Sequence, residues 1–175
     1  NRKLIDSVAN RFFFVQEPLR LLVNDVPSAL TVKIPMHPDY PERGFRYFDV
    51  DLKDDDACIM VSKGDLALFR QDSVVRLMEL FNFKVESVEE DRILASFHSK
   101  SYEEARRMNV PLIHWIPVDT GISCSVVMPD GSILTGLAEE TLGNVLVDDV
   151  VQFERFGFVR IDNIDEKITV YLAHR

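Results

Sequence analysis

The sequence predicts an all-β protein built as a barrel or a sandwich of short strands. Strand-like runs recur at close intervals, and the segments between them carry turn residues more often than helical periodicity. These runs are enriched in β-branched or aromatic residues, and several alternate apolar with polar side chains. They span residues 31–34, 45–52, 83–88, 93–98, 123–128 and 167–172. Many short strands in succession are typical of barrels and sandwiches.

Turn and helix signals complete this outline. Pro129-Asp130-Gly131-Ser132 predicts a hairpin turn, residues 89–91 predict another, and the proline-rich residues 35–44 predict an irregular loop. Ser101 and Glu104 form a capping box that opens a short helix. The expected helical segments are 1–8, 101 to about 108, and one or two turns within 65–69 and 138–142.

The net charge is unusual for a protein that binds nucleic acid. The chain has 29 Asp and Glu against 20 Lys and Arg, and its formal net charge of −9 has the wrong sign for a typical RNA binder. The acidic residues cluster near 49–56, 86–91 and 162–166, which is typical of solvated loops and hairpin tips. A basic face elsewhere would neutralise few phosphates, so it would need specific base contacts to bind RNA.

Cysteine usage and hydropathy favour a reduced, cytoplasmic compartment. No apolar run approaches the roughly 20 residues that span a bilayer, and the first residues lack the apolar core of a signal peptide. Cys58 and Cys124 lie far apart in sequence and form no ligand motif. Four isolated histidines predict no metal site.

One segment carries side chains suited to RNA bases. Residues 150–162 read VVQFERFGFVRID, with Gln152, Arg155 and Arg160 among aromatic and β-branched residues. Arg and Gln can read base edges, and the phenylalanines are flat enough to stack on bases. The alternative interpretation is an ordinary half-buried strand whose polar residues face water. From this pattern alone both interpretations stay open.

Segments along nearly the whole chain resemble one known family. In order they read NRFFFVQEPLRLLVND (10–25), VKIPMHPDYPERGFRYFD (32–49), IMVSKGDL (59–66), VVRLMELFNFKVESVEED (74–91), PLIHWIP (111–117) and VQFERFGFVRID (151–162). They resemble the C-terminal anticodon-binding region of glutaminyl-tRNA synthetases and of archaeal and eukaryal glutamyl-tRNA synthetases. The HP..PE.G.R, HW.P and QFER segments are the most specific. PLIHWIP and NRFFFV are closer to the archaeal glutamyl enzymes.

The resemblance implies a more definite fold than periodicity does. It implies two six-stranded β-barrels in tandem, similar to ribosomal-protein barrels, with a few short helices. The proximal barrel is expected at residues 1–55 plus 145–175, and the distal barrel at residues 56–144. The distal barrel would then be an insertion between the two parts of the proximal one.

The resemblance also implies an RNA-binding site. Arg11, Gln152 and Arg155 match positions that hold the middle anticodon uridine, and Arg76 matches a basic position that supports the anticodon loop. Arg70 is the nearest candidate for reading the third base, although the match there is inexact. Met78 departs from the glutaminyl pattern, which has a second arginine at that position.

Strand geometry complicates this pocket. Strict alternation would place Gln152 and Arg155 on opposite faces of one strand. They can share a pocket only if the chain bends between them, and Gly157 could permit a bulge.

The chain is expected to have no catalytic residues, metal site or cofactor of its own. Met60-Val61-Ser62-Lys63 superficially resembles the KMSKS loop of class I synthetases, but no HIGH-like partner occurs in the sequence. The implied parent is a glutamate–tRNA ligase that uses ATP and magnesium in a domain outside this chain. Its implied partners are the glutamate tRNA and, as a second candidate, the glutamine tRNA. Two alternatives remain: a barrel protein that binds ribosomal RNA, and a protein-interaction module that binds no RNA.

Overall fold

The computed structural model describes residues 2–175, and short strands dominate it. Asn1, the first residue of the predicted helix 1–8, lies outside the described residues. The strands are β1 (Arg11–Phe12), β2 (Phe14–Gln16), β3 (Pro18–Asn24), β4 (Leu30–Pro35), β5 (Phe45–Val50), β6 (Leu52–Lys53), β7 (Asp56–Ser62), β8 (Val74–Leu77), β9 (Asn82–Val88), β10 (Arg92–Ser99), β11 (Leu112–Ile113), β12 (Ile116–Pro117), β13 (Ile122–Val127), β14 (Ile133–Ala138), β15 (Val150–Phe153), β16 (Gly157–Ile164) and β17 (Ile168–His174).

The helices are short, and all of those described lie where the sequence predicts them except Pro41–Arg43, which falls in the segment predicted as an irregular loop. They are α1 (Arg2–Val8), α2 (Tyr102–Met108) and three 3₁₀ segments, Pro41–Arg43, Lys63–Leu68 and Glu140–Asn144. Ser101 caps α2, because its side chain accepts a hydrogen bond from the Glu104 N–H at 3.0 Å. The all-β fold class is confirmed.

The chain divides into two compact units. Unit 1 comprises the N-terminal residues through Gln16, Ile34–Arg46 and Thr120–Arg175, and unit 2 comprises Glu17–Lys33 and Tyr47–Asp119. This division differs from the expected boundaries in three segments. Residues 47–55 fall in unit 2, where β6 pairs with β7. Residues 17–33 fall in unit 2 because β3 pairs with β7 and β10. Residues 120–144 fall in unit 1 because β13 pairs with β17 and β14 pairs with β2.

Unit 1 contains a closed six-stranded barrel. Its strand order is β1-β15-β16-β17-β13-β14-β2. The first and last members are two halves of one segment, separated only by Phe13, so the sheet returns to its starting point. Gly136 allows the closing strands to approach, because a Cβ there would lie 2.1 Å from Val15 O.

The sheet of unit 2 closes into a barrel in the same way. Its order is β11-β8-β9-β10-β3-β7-β12, and β11 and β12 are separated by His114 and Trp115. Each barrel shows the same succession of pairings: a parallel pair, two antiparallel hairpins, a second parallel pair and two antiparallel pairs. The two barrels therefore share one topology, although no repeat is visible in the sequence.

The correspondence holds residue by residue at one hairpin of each unit. Gln152 pairs with Arg11 and Phe158, while Arg76 pairs with Leu112 and Asn82. Five residues separate Gln152 from Phe158, and five separate Arg76 from Asn82. At the same place in each interval, Arg155 and Glu79 adopt left-handed φ angles of 62° and 63°. Gln152 thus corresponds to Arg76, and Arg155 to Glu79.

Candidate nucleic-acid interface

Arg11 and Gln152 lie side by side on neighbouring strands of unit 1. β1 runs parallel to β15, and the register pairs the two residues. The Gln152 N–H donates to Asn10 O at 2.8 Å, and the Arg11 N–H donates to Met36 O at 2.7 Å. In-register residues of adjacent strands point to the same face of a sheet. Their side chains are therefore neighbours.

Two polar atoms of this pair are buried without a partner. Arg11 donates from Nη2 to Asp6 Oδ1 at 3.4 Å, and its Nη1 lies 3.9 Å from Glu154 Oε1. Within residues 2–175, Nε of Arg11 and Oε1 of Gln152 are buried and have no hydrogen-bond partner. An unsatisfied buried polar atom costs about 1–3 kcal/mol, and native structures retain few of them. This donor and this acceptor are therefore unused within the described residues.

Arg155 lies at the tip of a hairpin. A single half-buried strand over 151–162 is wrong, because β15 ends at Phe153 and β16 begins at Gly157. Arg155 is exposed and left-handed in the turn between them. The conflict from strict alternation disappears, because Arg155 does not belong to the strand that carries Gln152.

Two of the aromatic side chains in this segment face the barrel core. Phe153 and Phe158 are 0% and 1% exposed, so the prediction that the phenylalanines stack on bases is wrong for these two. The ring of Phe153 stacks on Phe14 with centroids 5.0 Å apart. Arg160 is held by an ion pair with Asp148 at 3.1 Å. Burial therefore excludes RNA contacts by Phe153 and Phe158, while those of Gln152 and Arg155 stay predictions.

A buried ion pair fixes the break between β1 and β2. Arg46 and Glu139 are 1% and 2% exposed, and Arg46 Nε donates to Glu139 Oε1 at 2.9 Å. Glu139 Oε2 also accepts from Arg46 Nη2 at 3.2 Å and from the Phe13 N–H at 2.6 Å. The Arg46 Nη1 donates to Pro35 O at 3.0 Å. These contacts hold Phe13 out of the hydrogen bonding between strands. β1 and β2, on either side of Phe13, pair with different strands, β15 and β14.

The loop of the HP..PE.G.R segment also holds the end of α1. His37 Nε2 lies 2.7 Å from Asp6 O, and Arg43 Nη2 donates to Ser7 O at 2.6 Å. The last carbonyls of a helix lack intrahelical donors, and these two side chains supply them. Asp6 is thereby fixed beside Arg11.

Glu154 experiences a mixed electrostatic environment. Burial raises the pKa of its carboxyl above the ordinary value. The cations of Arg11 and Arg46 act in the opposite direction, while the carboxylates of Glu139 and Asp6 raise the pKa further. Its backbone N–H donates to Phe12 O at 3.0 Å.

In unit 2, Arg76 is buried within a polar network. It is 6% exposed, which excludes a solvent-facing position. Its Nη1 donates to Asn82 Oδ1 and to Lys100 O, each at 3.0 Å, and its Nε is buried without a partner. Its guanidinium lies 5.7 Å from the ring centre of Tyr102. Burial lowers the pKa of Arg76, while Glu79 and then Tyr102 raise it.

Arg70 is the other predicted site residue in unit 2. Its side chain is exposed, and its backbone N–H donates to Ser73 Oγ at 3.1 Å in the turn before β8. The predicted site residues thus form two groups. Arg11 and Gln152 share a register pair with Arg155 on the adjoining turn, whereas Arg70 and Arg76 belong to unit 2.

Sequence reasoning missed the groups that surround Arg11. His37, Arg43 and Arg46 belong to the HP..PE.G.R segment, so the motif spacing was a usable signal for them. Asp6 and Glu139 sit in a short helix and beside a 3₁₀ turn, and no local pattern distinguishes them from solvated acids.

Two features are absent from the described residues. None of the helices within residues 2–175 has the length and apolarity needed to span a membrane. In the same part of the chain, no group of three His, Cys, Asp or Glu residues is placed to hold a metal ion.

Two family models match the chain over most of its length. Both are described as the anticodon-binding domain of class I tRNA synthetases for E and Q, and they match residues 9–100 and 112–162. The chain belongs to this family. The six-stranded barrels and the Arg11–Gln152 pair are therefore features of an anticodon-binding domain.

Relatives from archaea extend the similarity over the full chain. The anticodon-binding domain is 45% identical to a glutamate–tRNA ligase of Thermococcus kodakarensis, 46% to one of Pyrococcus abyssi and 44% to one of Methanocaldococcus jannaschii. Each comparison covers 100% of this chain and 30% of the relative. The chain thus spans about 30% of the length of these relatives.

Proposed function

We propose that this anticodon-binding domain recognises the anticodon loop of the glutamate tRNA as part of a glutamate–tRNA ligase. The relatives that align with 100% of this chain are named glutamate–tRNA ligases. The ligase reaction, with ATP and magnesium, would take place in a part of the parent outside this chain. Glutamine tRNA is a second candidate substrate, and the parent would act in the cytoplasm.

The unpartnered atoms of Arg11 and Gln152 carry the proposal. Anticodon bases are single-stranded and can be splayed into pockets that contact their Watson–Crick edges. Uracil presents an N3–H donor between carbonyl acceptors. Gln152 Oε1 can accept from N3–H, while Arg11 Nε donates to a carbonyl oxygen. Cytosine presents an acceptor at N3 and an amino donor in place of O4, so the Gln152 contact would be mismatched, and so would an Arg11 contact to O4.

The remaining predicted residues would bind around this pocket. Arg155, exposed on the hairpin tip, would contact the base or the phosphate next to it. In unit 2, Arg76 would support the loop from within its network and Arg70 would read the third base. On this proposal unit 1 is the proximal barrel and unit 2 the distal barrel.

A direct titration tests the proposal. The chain is mixed at low salt with the glutamate tRNA anticodon stem-loop, and with the same stem-loop carrying cytosine at the middle position. We expect the cytosine change to cost about 1–3 kcal/mol, the discrimination that a good bidentate base contact provides. Equal binding to both would contradict the proposal.

The two alternative functions give different patterns in the same titration. A barrel protein that binds ribosomal RNA would prefer a helical stem and would be indifferent to the loop sequence. A protein-interaction module would show no salt-sensitive RNA binding at all. Either pattern would overturn anticodon recognition.

A further inference from the structure

Arg11 is a poor site for a phosphate, although it is a cation in an RNA-binding domain. Its Nη2 faces Asp6 Oδ1 at 3.4 Å and its Nη1 faces Glu154 Oε1 at 3.9 Å. The nearby cation Arg46 adds no net charge, because Glu139 neutralises it. Two carboxylates therefore face the single guanidinium of Arg11, and Arg46 supplies no uncompensated positive charge beside them.

The geometry decides which edge of the guanidinium is left for RNA. Arginine usually binds phosphate through paired N–H groups, and such a pair includes at least one Nη atom. In Arg11 both Nη atoms face carboxylates, and a phosphate at that edge would meet two negative charges. The unpartnered Nε lies in the same register pair as the unpartnered Oε1 of Gln152. A neutral base edge at this pair would meet no electrostatic repulsion.

We propose that Asp6 and Glu154 are specificity-determining residues that exclude phosphate from Arg11 and reserve its Nε for a neutral base. This inference rests on the proposed function, because it takes Arg11 as the reader of the middle uridine. It also gives the acidity of the chain a local role, since carboxylates beside the reader suppress sequence-independent binding.

Both carboxylates are held in place by backbone contacts. The Glu154 N–H donates to Phe12 O at 3.0 Å, next to Arg11 in the chain. Asp6 O lies 2.7 Å from His37 Nε2, and His37 Nδ1 accepts from the Asp39 N–H at 3.2 Å. An acceptor at Nδ1 makes Nε2 the protonated nitrogen of a neutral imidazole. His37 therefore donates to α1 and anchors the turn that carries Asp6.

The test uses charge-removing variants that keep side-chain size, Asp6→Asn and Glu154→Gln. The matched control is Glu166→Gln, an exposed acid between β16 and β17. The eight-residue strand β16 separates this turn from the Arg155 hairpin, a distance of roughly 25 Å at about 3.3 Å per residue. Each protein is titrated with the cognate stem-loop, its middle-cytosine version and a stem-loop of unrelated loop sequence, over a salt series.

The expected signs separate this proposal from a purely structural role. Asp6→Asn and Glu154→Gln should bind the unrelated and cytosine stem-loops more tightly than the parent does, because one phosphate contact is added, and this gain should shrink by about threefold between 50 and 200 mM salt. Their salt dependence should steepen by about 0.7 in log–log slope, and discrimination against cytosine should fall. The control should shift all three RNAs by a common, smaller factor.

Three results would overturn the proposal, and they are distinguishable. If the unmodified chain discriminates and both variants keep its ratio and salt slope, the carboxylates have no such role while the proposed function stands. If the unmodified chain shows no discrimination between uridine and cytosine, the proposed function fails and this inference fails with it. Parallel weakening for all RNAs would show that the two acids only maintain the fold.

Discussion

The hairpin β15–β16 of unit 1 and the hairpin β8–β9 of unit 2 share their strand pairing and loop conformation, but they carry different side chains at corresponding positions. The first strand of each hairpin, β15 or β8, pairs in parallel with a short strand, β1 or β11, that is one half of an interrupted segment. Both hairpins have a left-handed residue at the same loop position. The strand position of Gln152 is held by Arg76 in unit 2, and the tip position of Arg155 is held by Glu79. Topology therefore fixes where these side chains stand, and their cross-strand partners decide what they can bind.

The cross-strand partner is the decisive difference. Gln152 faces Phe158, which has no polar side-chain atom, and its Oε1 is buried without a partner within the described chain. Arg76 faces Asn82, which accepts its Nη1 proton at 3.0 Å. The Nε of Arg76 is also buried without a partner within residues 2–175. We infer that unit 1 directs this position toward a ligand, whereas unit 2 uses it mainly to stabilise the barrel.

The largest expected contrast is in stability. Arg76→Ala would leave the buried Asn82 Oδ1 without its donor, at about 1–3 kcal/mol, and would also remove the hydrogen bond to Lys100 O. We therefore expect the free energy of unfolding to fall by about 3 kcal/mol in urea titrations. Gln152→Leu replaces an unsatisfied amide with an apolar side chain and should change it by less than about 1 kcal/mol. Equal losses in the two variants would refute the contrast.

The hairpin tips should differ next most strongly, in RNA affinity. Arg155→Ala should cost about 1–3 kcal/mol for the cognate stem-loop if the side chain makes a bidentate base contact. Loss of a phosphate contact would instead weaken all RNAs alike and reduce the salt slope by about one unit. Glu79→Ala, at the corresponding tip, should weaken none of them. If Arg155→Ala binds the cognate stem-loop as tightly as the parent does, Arg155 does not contact the RNA.

The smallest expected effect is on pH-dependent stability, and it concerns Glu154, which corresponds to Met78 in unit 2. Its raised pKa means that the folded state binds the proton more tightly than the unfolded state does. Its ionisation therefore lowers stability as pH rises from the unfolded value through the folded pKa. Glu154→Gln should be more stable than the parent at neutral pH, with the difference vanishing at lower pH. The groups facing this carboxyl are Arg11, Arg46, Glu139 and Asp6.

Urea titrations at a series of pH values check this prediction. Met78→Leu provides the control at the corresponding position, because it changes no charge and its stability difference should not vary with pH. A stability difference for Glu154→Gln that grows as pH falls would contradict the raised pKa.

Local patterns in the sequence predicted the elements that depend on neighbouring residues. The Pro129–Ser132 turn and the Ser101-capped helix were identified because turn and cap residues act within a few positions. Both occur in the structure as predicted. The hairpin at 154–156 was not predicted, because its left-handed residue is an arginine and none of its three loop residues is glycine, proline or asparagine.

Features that depend on distant segments could not be obtained from local patterns. The segments 17–33 and 120–144 join their units through pairings with remote strands, which periodicity does not reveal. Asp6 and Glu139 acquire their roles only when folding brings them to Arg11 and Arg46. The resemblance identified Arg11 and Gln152 separately, and the structure adds that they are register partners with complementary unpartnered atoms.

The central claim is that Gln152 recognises the middle uridine, and a double-mutant cycle between protein and RNA tests it most directly. The parent and Gln152→Leu are each titrated with the uridine and cytosine stem-loops under one salt condition. We predict a coupling free energy of about 1 kcal/mol or more, because the leucine variant should lose its preference for uridine. A coupling of zero, with both proteins keeping the same preference, would contradict the account.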